Sequence, residues 1–134
     1  MEWQSTYSVG IEEIDNQHRE LLGHFSTIGE AMVSKKSWSD VHFEIVKLKE
    51  FAHFHFRFED ALMSLYGCPQ RERHNEIHVQ FLREIESYER SSLRRQNDKE
   101  VMQLFTDWLV KHIQGDDRVY AHRIISGAKV VLTL

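Results

Sequence analysis

Apolar residues recur at steps of three and four along four segments of the chain, the spacing of a helix that buries one face. The first segment runs from about Ile14 to Met32, with Ile14, His18, Leu21, Phe25, Ile28 and Met32 on its stripe. The second runs from about Ser39 to Leu65 through Val41, Leu48, Ala52, His55, Glu59 and Leu62. Ser37 followed by Asp40 resembles a capping box at its start. The third starts after "GCP", where Pro69 suits a first helical turn, and carries His74, His78, Phe81, Ile85 and Tyr88. The fourth begins near Asn97 or Asp98, both good N-caps. Its stripe is Val101, Phe105, Trp108 and His112, and Gly115 is expected to end it. Short connections between such segments predict an all-α, antiparallel up-and-down four-helix bundle, one domain over residues 1–134. The apolar, β-branched tail "AKVVLTL" is left over. It is expected to form a short strand, a strap over the bundle, or a contact for a protein partner or a second copy.

Composition narrows the class. A chain of 134 residues suits one sizeable core. Its formal charge, 17 − 21 = −4, argues against nucleic acid or an anionic membrane as the main partner. The short basic run "RSSLRR" (90–95) reads as a solvated helix end. The single cysteine, Cys68, forbids an internal disulfide and points to a reducing compartment; it is expected to be a loop thiol. "MEWQSTYSVG" has neither the charged start nor the apolar run of a signal peptide. No apolar run approaches the ~18 residues of a membrane span. A small soluble cytoplasmic protein is expected.

All four stripes contain histidine: His18 in the first, His55 in the second, His74 and His78 in the third, His112 in the fourth. In a bundle these positions converge. Buried imidazoles without partners are costly, and a metal would satisfy them. His74 and His78 stand one turn apart on one face, and so do His55 and Glu59. Asp117 follows His112 by five residues. Seven ligands are too many for one ordinary ion and suit two. Carboxylates can bridge two metals, whereas imidazole normally binds one. With Glu59 and Asp117 as bridges, five histidines divide three and two, and one metal keeps an open position. Mixed imidazole and carboxylate ligands suit iron, with manganese and zinc as alternatives. His24, His42, His53 and His122 fall off the stripes. The i+4 neighbour of His53 is Arg57, a poor companion for a cation.

The motifs "DNQHREL" (15–21), "HFRFED" (55–60), "HNEIH" (74–78) and "WLVKHIQGDDRVY" (108–120), in this order, resemble those of the hemerythrin family, in particular its single-domain bacterial members. The resemblance implies a non-haem di-iron centre. His74, His78 and His112 would hold one iron, and His18 and His55 the other. Glu59 and Asp117 would bridge them beside a solvent-derived oxo or hydroxo group. It also implies reversible binding of dioxygen for storage, delivery or sensing, and of azide-like anions in the di-ferric form. Leu21, Phe56, Trp108, Leu109 and Ile113 adjoin the ligands and are candidates for an apolar oxygen pocket. Asp60 replaces the second glutamate of the family's usual motif, at a position that is not a ligand.

The main rival is a redox enzyme on the same ligands: an oxidase, peroxidase or nitric oxide reductase. A ferritin-like carboxylate site needs Glu-x-x-His on two helices, and only Glu50-x-x-His53 is present, off the inward stripe. A structural zinc prefers a closed four-coordinate site, which seven clustered ligands exceed.

Overall fold

Helix α1 (Glu12–Val33) ends where Lys35 turns to φ 54° and the Lys36 N–H reaches back to the Ala31 carbonyl at 3.1 Å. Helix α2 (Trp38–Leu65) ends the same way, with Gly67 at φ 63° and the Cys68 N–H on the Met63 carbonyl at 2.9 Å. Both are Schellman closures, which satisfy the last carbonyls of a helix. At the other end of α2, Ser37 caps the first turn by accepting from the Asp40 N–H, as expected. Helix α3 (Arg71–Arg90) and helix α4 (Asp98–His112) follow. This is a computed structural model. It describes residues 2–90 and 98–133, so the expected cap at Asn97 and most of the basic run lie outside the described residues.

Side-chain contacts fix the directions. His18 and His24 of α1 meet His55 and Phe51 of α2; Phe56 and Lys49 of α2 meet His78 and Glu89 of α3; His78 and Phe81 meet His112 and Trp108 of α4. In each pair the numbers rise on one helix as they fall on the other, so successive neighbours are antiparallel. The result is the expected helical bundle, with no strand among the described residues.

Three expectations change. Pro69 sits in the turn before α3, which starts at Arg71. Gly115 does not end the fourth helix. The backbone widens into a π-turn at Ile113–Asp117 and continues as helix α5 (Arg118–Thr133). The residues flanking the π-turn, His112 and Arg118, keep right-handed helical angles, and Gly115 is not at positive φ, so no C-cap forms there. The tail is therefore helical through Thr133, and the strand expected there is absent. β-Branched residues disfavour helix by only about 0.7 kcal/mol each at most, too little to stop a helix already growing.

Cys68 lies in a turn, as expected, but is buried in the core. Burial pushes its thiol pKa up, which makes it a poor nucleophile. Among the described residues no helix is long and apolar enough to cross a membrane.

The N-terminal arm is tied down where the π-turn ends. Asp15 accepts from the Ser8 hydroxyl at 2.5 Å and the Val9 N–H at 2.9 Å. The Arg118 guanidinium, one residue past Asp117, donates to the carbonyls of Thr6 and Ser8. Between them Gly10 sits at φ 87°, where an added Cβ would stand 3.0 Å from Ile125 Cδ1. Gly10→Ala is expected to lower the unfolding free energy by about 1–2 kcal/mol, the cost of a left-handed non-glycine residue, as read by urea denaturation; an unchanged midpoint would show that the arm is not held in this conformation.

Candidate metal centre

Two groups of four buried side chains lie inside one end of the bundle: His74, His78, His112 and Asp117, and His18, His55, Glu59 and Asp117. Within each group one ligand atom from every residue lies within 4.8 Å of the others. The seven residues singled out in the sequence are thus the seven brought together. His18 comes from α1, His55 and Glu59 from α2, His74 and His78 from α3, His112 from α4, and Asp117 from the π-turn. His24, His42, His53 and His122 belong to neither group.

The carboxylates join the groups. Asp117 turns Oδ1 toward His74 Nε2 at 2.8 Å and His112 Nε2 at 3.2 Å, and Oδ2 toward His18 Nε2 at 3.1 Å. Glu59 sets Oε1 against His55 Nε2 and Oε2 toward His74 Nε2 at 3.7 Å. Each carboxylate therefore divides its two oxygens between a three-histidine side and a two-histidine side. The π-turn makes this possible for Asp117. A π-turn closes its backbone hydrogen bond over five residues where an α-turn closes it over four, which brings residue 117, five after His112, back to the face of His112.

Proximity is not the same as hydrogen bonding here. Both ring nitrogens of His18, both oxygens of Glu59, Nδ1 of His78 and Oδ2 of Asp117 are buried without an aligned hydrogen-bond partner. His78 Nε2 and His112 Nε2 face each other at 2.9 Å. A buried polar group left unpaired costs about 1–3 kcal/mol, more if charged. Orphaned acceptors and imidazole nitrogens aimed at shared points are what cations would satisfy. The donor set fits a pair of them.

Two residues outside the seven hold ligand rings in place. Gln17 turns its amide nitrogen to Glu13 at 3.2 Å, so its oxygen faces His55 and accepts from Nδ1 at 2.6 Å. Asp116 accepts from His112 Nδ1 at 2.9 Å. In both rings the Nε2 lone pair is thereby left for the centre. A third, Tyr120, is buried with its ring edge against His74 at 5.2 Å. Burial and the charges of Glu59 and Asp117 push its hydroxyl pKa far up, so it stays protonated. The sequence reading missed all three. Asp116, four residues after His112, carried a signal in its spacing; Gln17, next to His18, and Tyr120 carried little.

Of the five pocket candidates, Leu21, Phe56, Leu109 and Ile113 are buried and Trp108 is half-buried. Phe56 stacks on His78 with ring centres 3.8 Å apart, and Trp108 stacks on His112 at 4.8 Å.

Without a cation, protons balance the carboxylates. Burial favours neutral Glu59, and so does Asp117, but His55 and His74 outweigh them and hold its pKa at about 2. Burial likewise opposes charge on Asp117, yet His112, His18 and His74 hold it well below the carboxylate range. His74 is raised to about 9: burial works against its charge, and the hydrogen bond to Asp117 with the nearby charge of Glu59 prevails. His112 is raised for the same reasons. Burial, reinforced by the charges on His74 and His112, drives His78 down to about 3. The two carboxylates thus face a protonated His74 and a His112 with raised pKa, and a metal entering the site would displace such protons.

An all-α bundle with two buried histidine–carboxylate groups that could hold metal defines a helical protein with a candidate metal centre. Residues 9–124 match the model of the Hemerythrin HHE cation binding domain. The chain belongs to the hemerythrin family. It is 30% identical to the bacteriohemerythrin of Stenotrophomonas maltophilia over 126 residues, covering 91% of this chain and 80% of that protein. It is 29% identical to the bacteriohemerythrin of Clostridium acetobutylicum, covering 88% and 96%. It is also 29% identical to a hemerythrin-like protein of Naegleria gruberi, covering 88% of each.

The proton balance has a pH consequence. The folded pKa of His74 lies above its ordinary 6.5. The stabilisation it contributes is complete below pH 6.5 and disappears as pH rises through about 9. Protein stripped of metal by a chelator is expected to lose stability across that window in denaturant titrations, and metal-loaded protein to lose far less. Equal slopes for the two forms would refute the exchange of protons for metal.

Proposed function

We propose that this chain holds two non-haem iron ions in its bundle and binds dioxygen reversibly there, for storage, delivery or sensing. His74, His78 and His112 hold one iron, His18 and His55 the other, and Glu59 and Asp117 bridge the pair beside a solvent-derived oxo or hydroxo group. The observation that carries this reading is the division of each carboxylate's oxygens between a three-histidine and a two-histidine side. The iron pair, when bound, supplies two reducing equivalents and an open coordination position for a small ligand.

The chain's own residues set the conditions around that position. The two-histidine side is one donor short, so the opening falls there. Azide-like anions compete for it. Gln17 keeps His55 Nε2 directed inward and Asp116 does the same for His112. Tyr120 keeps its proton beside Glu59. Leu21, Phe56, Leu109 and Ile113, with the ring of Trp108, form the apolar wall. A dry wall hinders water and protons, whose entry would favour loss of a reduced oxygen species and leave oxidised iron behind.

Iron content and an optical spectrum, taken anaerobically after reduction and again after admitting oxygen, test the reading. Two irons per chain and a visible charge-transfer band that appears with oxygen and vanishes on its removal are expected. Two irons that pass irreversibly to the di-ferric spectrum, with turnover when a reductant is supplied, would replace the carrier with a redox enzyme. Absence of iron after expression in ample iron would overturn the site.

Two variants test the assignments. Glu59→Ala is expected to lose both irons or nearly so, and retention of two with an unaltered spectrum would remove Glu59 from the ligand set. His53→Ala is expected to keep full iron content, because His53 is partly exposed and lies about 4 Å from Glu86, outside both groups.

A further inference from the structure

The outer face of α2, turned away from the metal groups, carries large apolar side chains in solvent. Phe43 is 61% exposed, Phe54 50% and Leu65 76%. Phe54 continues into a ladder of rings, 5.8 Å from Phe51 and 6.3 Å from Phe58. Isolated exposed apolar residues are ordinary, but a row of them marks a contact surface. Phe43, Phe54 and Leu65 recur at intervals of eleven residues. Eleven residues make close to three helical turns, so the three stand in line about 16 Å apart.

The row has a symmetry that selects its occupant. Phe54 is its midpoint, with an aromatic or aliphatic anchor at equal distance on each side. An antiparallel copy of α2 related by a two-fold axis at Phe54 places Phe43 on the partner's Leu65 and Phe54 on the partner's Phe54. Lys47 then faces the partner's Ala61, a small, exposed residue that leaves room for a long side chain. Lys47 now lies 3.0 Å from Glu44 with its ammonium over the Phe43 ring, so pairing swings it off that ring toward the partner's Ala61.

Charge follows the same symmetry. Glu50 and Arg57 are both exposed and lie on one flank of the row. In an antiparallel helix pair like flanks meet, so Glu50 of each copy comes beside Arg57 of the other, twice per pair. A parallel two-fold pair joins unlike flanks, which would set Glu50 and Arg57 beside the Phe51 and Phe58 edge of the partner and leave both charges without a counter-charge.

We infer that the exposed face of α2 is a self-complementary dimer interface, taken by a second copy of this chain running antiparallel about Phe54. Two-fold pairing of one patch with itself is the commonest form of homodimer. One helix pair buries less than the roughly 800 Å² per partner of a standard interface, so the association is weak, with a dissociation constant on the order of 100 µM. The inference does not rest on the metal assignment.

Sedimentation of the iron-loaded protein from about 10 µM to about 1 mM tests it, since that range brackets the expected constant. The weight-average mass is expected to rise toward two chains. Phe54→Glu, at a half-exposed site where helix content should not change by circular dichroism, is expected to weaken association at least tenfold. Glu50→Arg alone is expected to weaken it and Glu50→Arg with Arg57→Glu to restore it. A monomer at every concentration overturns the inference, and binding of that monomer to anionic vesicles would assign the face to a membrane. Dimerisation that survives Phe54→Glu, or a charge reversal that fails to rescue, overturns it as well.

Discussion

Two carboxylates buried side by side govern the structure. Glu59 and Asp117 are essentially without solvent, and an isolated buried charge costs several kcal/mol. Five imidazoles from four helices are gathered to offset that cost. Neither carboxylate can be left unpaired, and no single helix can supply the partners. The end of the bundle that holds them is therefore specified by electrostatics, and its helices must arrive in register. The opposite end is specified by packing: Phe25, Ile28, Val41, Ile45, Ile85 and Tyr88 form an apolar layer there. That layer has no orphaned polar group among those found unpaired, so it can hold the helices together whatever protons or cations occupy the other end.

The π-turn settles how one short sequence serves two atoms of the same ring. Asp116 and Asp117 are neighbours, yet one accepts from His112 Nδ1 and the other faces Nε2. Asp116, four residues on, reaches the outer nitrogen along the exposed edge. Asp117 reaches the inner nitrogen only because the π-turn's hydrogen bond spans one residue more than an α-turn's. The wider turn gives weaker backbone packing locally, and the Arg118 contacts to the Thr6 and Ser8 carbonyls brace it from outside.

The bundle and the seven convergent side chains were legible because both follow from helical periodicity, which the sequence displays directly. His18, His55, Glu59, His74, His78 and His112 sit where core residues should be, and a titratable group at such a place is conspicuous. Asp117 was legible by its distance from His112, but the π-turn that explains the distance was not. Gly115 read as a stop, and only backbone angles could show that the helix runs through it. Of the three readings of the tail, the strand failed for a related reason: β-branched composition is a weak preference, and continuity with a helix already formed overrides it. Gln17, Asp116 and Tyr120 escaped notice because polar residues near ligands are common, and only atomic contacts reveal which ones orient a ring.

Aromatic packing adds a direction to the centre. Phe56 lies flat on His78 and Trp108 flat on His112, with interplanar angles of 11° and 13°. Both plated rings belong to the three-histidine side. On the other side His18 and His55 meet edge to face at 4.9 Å, with aliphatic Leu21 one turn from His18. Stacked rings resist reorientation, whereas aliphatic neighbours can yield by rotamer changes at little cost. On the proposed assignment, the three-histidine side would be the rigid support and the two-histidine side the place where a small molecule could be admitted without moving a histidine ring. Coordination number and packing stiffness point to the same side, although the first follows from counting imidazoles and the second from how neighbouring side chains lie against them.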